Sequence, residues 1–361
     1  VVTAQINQRI RESRNLEVAI IALIATADQW GASIEFSSLS KLVNAGPNSL
    51  RIALERLTRE HVLQKDQDRI RGLHQLRSRF LSQAVHSTPP PLLRDTIGSL
   101  IKASAPRDLK AIVVGALSQS AICDDQAIGA LARRLSEQSE YGSRTVFLSV
   151  MDALREVEYR RRVNDWTEIL DRENVPLPLR VVSIQFSMVK DFSTPNMMEE
   201  IQRALPQLRP LTTSAFPLGR LLIDHLAPGF VEKLLVDSDS TAVAVDVFQS
   251  LLGTGMEIAK SIEPLLTGST FEDVLPTSTI EELGELFIAA YALEPPLYHC
   301  LLHHVGGNDA VLTRLEQQIP WITEAEIAEE DSELVPRVRA MYISEVLQSE
   351  SAGKSNLELS Q

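Results

Sequence analysis

The chain has 361 residues, 44% hydrophobic and only 5% aromatic, with 35 Lys+Arg against 48 Asp+Glu and a net charge of −13. That length exceeds one compact core and predicts two or more domains or an elongated array. Two cysteines, Cys123 and Cys300, exclude a disulfide framework and predict buried thiols in a reducing, cytoplasmic setting.

No apolar run approaches the ~18 residues that span a bilayer, and the opening stretch lacks the apolar core of a signal peptide. The first residue is Val1, which reads as a piece of a longer polypeptide or as terminal processing. Charge is distributed unevenly. Residues 1–110 hold 16 Lys+Arg and 10 Asp+Glu, net +6; the totals of 35 and 48 leave 19 and 38 for the remainder, net −19. Only the first portion could tolerate a polyanion. Leu, Ala, Ile, Val, Glu and Arg recur at helical spacing while β-type alternation is scarce, so the fold class is mainly α.

The first helix is expected from about Gln5 to Ala27, with Ile10, Leu16, Ala19, Ile20, Leu23 and Ile24 facing inward. Two more follow in "SSLSKLVNAGPNSLRIALERLTREHVLQ". Ser37 is the expected N-cap of the first, and Gly46-Pro47 supplies a turn with proline at the first helical position of the second. Leu50, Leu54, Leu57 and Val62 form the inward stripe. Strands near Val62–Lys65 and Arg69–Leu73, joined by Asp66-Gln67-Asp68, make a hairpin. Three helices and a hairpin predict a winged helix over residues 1–87. Its last helix, Gln75–His86, is expected to carry Leu76, Phe80, Leu81 and Ala84 towards the core. The prolines of "STPPP" then stop it, and residues 88–91 are read as a linker.

From residue 92 to 350 the pattern is helix after helix, punctuated by SAP (104–106), CDD (123–125), NVPLP (174–178), STP (193–195), APG (227–229), SDS (238–240), GTG (253–255), EPP (294–296) and GGND (306–309). No fixed period recurs, which predicts an irregular α-helical array, solenoid or bundle, followed by a flexible tail at 351–361.

The winged-helix pattern, with "LRIALERLTREHVLQ" running into "LHQLRSRFL", resembles the end of the winged-helix domain of STAND proteins, the signal-transduction ATPases with numerous domains. That family includes plant disease-resistance receptors and bacterial antiviral ATPases. Where the plant receptors carry Met-His-Asp, this chain has Leu73-His74-Gln75, so the family's aspartate is replaced. The resemblance implies that His74 faces the ADP phosphate of a nucleotide-binding ATPase module lying upstream, and that residues 92–350 recognise a protein trigger. Contact with the trigger would favour an open, oligomerising state, in defence or other signalling. A ring N–H suits such a reversible phosphate contact. The simpler reading of His74 is that it caps the strand-to-helix junction.

The segment itself shows no catalytic constellation. Gly353-Lys354-Ser355 has Gln348 where a P-loop needs glycine. DNA binding is the alternative for a winged helix: Arg51, Arg56 and Arg59 with Lys65, Arg69 and Arg71 of the wing could meet phosphates, against the opposing carboxylates of Glu55 and Glu60. A transcription regulator with a helical ligand-binding domain, and a pure interaction scaffold, are the competing classes. Arg155, Arg160, Arg161 and Arg162 alternate with acids, as on a salt-bridged face. His299 and His303, four apart, are weak metal candidates without a ligand set. The acids of Thr323–Glu333 lack the glycine and alternating oxygens of a calcium loop.

Overall fold

The computed structural model describes residues 2–87, 89–137, 140–172 and 215–318. They are mainly α-helical, and the chain divides at Leu226 into two compact units. The first contains α1 (Val2–Arg11), α2 (Asn15–Asp28), β1 (Ile34–Glu35), α3 (Phe36–Leu42), α4 (Pro47–Arg59), β2 (Leu63–Asp66), β3 (Arg69–Gly72) and α5 (Gln75–His86). It continues through α6 (Leu93–Ala103), α7 (Pro106–Ser118), α8 (Asp124–Ser136), α9 (Glu140–Arg172) and α10 (Pro217–His225). The proline tract therefore lies inside one compact unit, with α2 packed against both α5 and α6.

α2 is the hub of the amino-terminal half. Its Ile20, Ile21, Ala22, Leu23, Ile24, Ala25 and Ala27 are buried almost all round, as in a helix enclosed by neighbours on every side. α4 shows the contrasting one-sided pattern, with Leu50, Ala53, Leu54 and Leu57 buried and Pro47 at its first turn. The three strands form one antiparallel sheet in the order β1-β3-β2, with Ile34 opposite Ile70 and Leu63 opposite Gly72.

Several expectations are corrected. The single first helix is two, because the chain reverses at Ser13, whose φ is +56°. The reversal turns Ile10 outward, 38% exposed, and gathers charge: Glu17 is ion-paired with Arg14, Arg9 lies 3.6 Å from Glu17, and Glu60 bonds both Arg9 and Arg14. Burial disfavours ionised Glu60, but Arg14 and Arg9 outweigh it and hold the carboxyl below its usual range. The residue preceding α3 is Glu35 rather than Ser37, and it makes no side-chain cap. β1 was not foreseen; two residues are too few to show alternation. Leu76 and Phe80 do not enter the core, as they are 55% and 53% exposed, and Ser78, Ser82 and Val85 take the inward places beside Leu81 and Ala84. Cys123 is exposed and Cys300 half-buried, both as free thiols.

The helices of the first unit end where the breakers stand: α7 starts on Pro106 and α8 on Asp124. α7 packs on the long α9, and α10 packs on α8 and α9. The second unit contains α11 (Phe230–Val236), α12 (Thr241–Leu251), α13 (Ala259–Leu266), α14 (Thr270–Val274), a short 3-10 turn, α15 (Ile280–Leu293), α16 (Pro295–His304) and α17 (Gly307–Gln318). α15 opens with a full capping box, Thr279 with Glu282, and packs on α12 and α16, burying Phe248 and Phe287. The NVPLP and STP breakers lie outside the described residues. No described helix is long and apolar enough to cross a membrane.

Candidate functional site at the junction of β3 and α5

β3 ends on Gly72 for a steric reason. Its Cα backs onto the buried hydrogen bond from Ser78 Oγ to Asp28 Oδ2, 2.6 Å long, and a Cβ there would fall 2.1 Å from Ser78 Oγ. The strand thus reaches the α2–α5 seam as bare backbone, and the next two residues turn out to solvent. Leu73 is 38% exposed and His74 is exposed as well.

His74 occupies the N-cap of α5 in extended conformation, and its Nδ1 accepts the backbone N–H of Leu76 at 3.1 Å. The junction role read from the sequence is therefore present. It also fixes the tautomer: an Nδ1 that accepts carries no proton, so in the neutral ring the proton sits on Nε2. Nε2 makes no hydrogen bond among the described residues, which leaves one ring N–H donor pointing away from the cap.

Beside the ring lies a cavity of about 400 Å³, lined by Asp66, Arg69, Arg71, His74 and Gln75 on one side and by Gly31 and Asp108 on the other. Arg69 is ion-paired to Asp108 of α7, and the same carboxylate accepts the Ser33 N–H at 3.0 Å. Asp108 came from no sequence pattern; it lies 39 residues from Arg69, and only the packing of α7 brings it in. Arg71 has no partner among the described residues and is the free cation of the cavity.

The other arginines named for DNA are more occupied. Arg51 pairs with Glu55 at 3.3 Å, and Arg56 lies 3.8 Å from Glu17. Lys65 sits over the Phe36 ring at 5.7 Å. Arg59 is exposed and has no partner among the described residues. The α9 arginines form the salt-bridged face foreseen for them: Arg160 pairs with Glu156 at 2.8 Å, Arg161 holds Asp124 at 2.8 Å, and Arg155 stacks on Phe216 at 4.4 Å. Glu158 accepts the Leu218 N–H at 2.6 Å, and burial pushes its carboxyl upward against that bond and the nearby arginines.

In the second unit, His299 and His303 line a cavity of about 350 Å³ with Asp309. Among the described residues no three His, Cys, Asp or Glu side chains are placed to hold a metal ion. Cys300 is pushed up to about 11, by burial first and the Glu263 charge second, which disfavours the nucleophilic thiolate. Thr323–Glu333 and Gly353-Lys354-Ser355 lie outside the described residues.

Sequence reasoning placed Leu76 and Phe80 in the core and so missed that they continue the exposed Leu73–His74 edge. The signal was there in charge: between positions 69 and 94 there are five arginines and no Asp or Glu. In comparisons with protein-family models, curated proteins and solved structures, the chain matches none.

Proposed function

We propose that this chain is a non-catalytic regulatory and sensing part of a STAND-type ATPase. Residues 1–87 form a winged helix that reports nucleotide state, and the helices beyond it recognise a trigger. The order α2-β1-α3-α4-β2-β3, with β1 beside β3, supports the winged-helix reading. The observation that carries the function is His74: its ring is anchored by Nδ1 to the Leu76 N–H and offers its remaining N–H outward, next to the unpaired Arg71. A rigidly held donor beside a guanidinium suits an anionic oxygen on a neighbouring module. In this reading the neighbour is a nucleotide-binding module and the anion is the terminal phosphate of ADP. Rotation of the module would break the contact, coupling the trigger to nucleotide release through differential contacts in two states.

The test uses the intact gene product. A P-loop module should precede residue 1 in the reading frame, and the purified protein should retain ADP. A product with no such module, or one that binds no adenine nucleotide, contradicts the reading.

The DNA-binding reading is favoured by Arg59 and Arg71, both exposed and unpaired among the described residues. Against it stand the Arg51–Glu55 pair on the outward face of α4 and the engagement of Arg69 with Asp108. A phosphate-binding surface would leave such arginines free for the backbone. Binding of random duplex DNA that falls steeply between 50 and 200 mM salt, as expected for roughly 6–10 phosphate contacts, would favour this second reading.

A further inference from the structure

α5 has two apolar faces where a surface helix ordinarily has one. Its inner face buries Ser78, Leu81, Ser82 and Val85. On the outer face Leu76 and Phe80 stand one turn apart, 55% and 53% exposed, and Leu73 continues the line at the helix entry, 38% exposed. The spacing of four puts Leu76 and Phe80 in register on the helix, while Leu73 precedes the N-cap. Arg79 and Gln83 share the face and are exposed. The core is complete without this ridge.

The sequence around it is one-sided in charge, although Asp28, Asp66 and Asp108 line the cavity beside Arg71. In a chain of net −13, the stretch from Arg69 to Arg94 contains five arginines and no carboxylate. Three of these are spoken for: Arg69 by Asp108, Arg94 by Asp95 at 3.6 Å, and Arg77 by the His61 carbonyl at 2.5 Å. Arg71 and Arg79 remain without partners among the described residues, flanking the apolar line.

We infer that the outer face of α5 is a docking surface for an acidic amphipathic helix of a partner protein. The partner's apolar side chains cover Leu73, Leu76 and Phe80, and its carboxylates meet Arg79 and Arg71. Apolar anchors at helical spacing are the usual grammar of helix recognition, and a rim of unpaired guanidiniums selects carboxylates over cations. A membrane surface fits less well, because three side chains flanked by Gln75 and Gln83 offer little apolar area to insert and the helix is held by its other face in a folded unit. The inference shares Arg71 with the nucleotide reading but does not use His74, so its failure leaves the nucleotide reading standing.

The experiment is fluorescence anisotropy of the full 361-residue chain with a labelled peptide of about five helical turns, carrying leucines at i, i+3, i+4 and i+7 and glutamates on the flanks. A matched peptide with lysines in place of the glutamates and vesicles containing phosphatidylserine are run beside it. The acidic peptide is expected to bind at least tenfold tighter than the lysine peptide. Phe80→Ser and Leu76→Ser should each weaken it at least tenfold, and Arg79→Glu should move the preference towards the lysine peptide. Thermal melts of the variants establish that the fold is kept, since all three positions are exposed. Equal affinity for both peptides, absence of binding, binding unchanged in Phe80→Ser, or preferential binding to the vesicles overturns the inference. So does concentration-dependent self-association that Phe80→Ser abolishes, which would make a second copy of the chain the occupant.

Discussion

α4 and α5 are successive helices of the first unit, and their outward faces differ in degree. α4 turns Arg51 and Glu55 outward as an ion pair, and its end is tied down where Glu60 meets Arg9 and Arg14. α5 turns Leu76, Phe80 and an unpaired Arg79 outward. Charge that is already paired is satisfied by the fold itself and contributes little to a partner. Apolar area and unpaired guanidiniums are left over by the fold and are available to one. The winged-helix pattern directs attention to α4, which leaves Ile52 and Arg59 exposed, yet α5 and the His74 junction leave more: Leu73, Leu76, Phe80, Arg79 and a ring N–H.

Substitutions can break this contrast at graded cost. The largest effect is expected beneath α4, where Glu17 is 3% exposed among Arg9, Arg14 and Arg56. Glu17→Ala removes the buried carboxylate that Arg9 and Arg14 share across the α1–α2 break, leaving Arg9 with Glu60 as its counter-charge, and should lower stability by about 3–5 kcal/mol in chemical denaturation. The inward faces should then behave alike. Leu57→Ala in α4 and Leu81→Ala in α5 remove side chains that are 0% and 2% exposed, and each should cost about 2–5 kcal/mol.

A third test separates α5 by pH. His86, in its last turn, hydrogen-bonds the Ser82 carbonyl at 2.7 Å and lies 3.0 Å from Thr96 Oγ1. Burial lowers its pKa from the ordinary 6.5, against the raising effect of the Ser82 bond. The folded state therefore favours the neutral ring. Its contribution is present above the unfolded pKa and is lost as pH falls through the folded one. His86→Gln should flatten the decline in stability between neutral pH and about pH 5; a decline unchanged in slope would contradict this. Smaller still is His74→Ala, which removes the cap on the Leu76 N–H and should cost about 0.5–1 kcal/mol. Last, Phe80→Ser and Ile52→Ser, on the outer faces of α5 and α4, should each shift stability by no more than about 0.5 kcal/mol, with peptide binding altered only by the first.

The contrast also shows what local pattern can reveal. Pro47, the Leu50–Leu54–Leu57 stripe and the β2–β3 hairpin were legible because each is a short-range signal: proline at a first turn, helical periodicity, a polar turn between strands. The break at Ser13 was not, since a non-glycine residue with positive φ leaves no compositional mark and the ions that hold it, Arg9 with Glu60, are 51 residues apart. β1 was invisible because two residues carry no period. Phe80 and Leu76 misled for a subtler reason. An apolar residue at helical spacing reports that something covers it, and periodicity alone does not distinguish the chain's own core from a partner. At the candidate site, His74 was singled out by its motif position, while Asp108 and the Gly72 seam needed the packing of α7 and α2 to appear.

The most direct measurement is the rate at which the intact gene product releases bound ADP, compared between the parent protein, His74→Ala and Arg59→Ala. If the module acts through the outward N–H of His74, the first variant should release ADP at least tenfold faster and the second at the parent rate. Identical release from all three proteins, or acceleration by Arg59→Ala alone, would contradict the account.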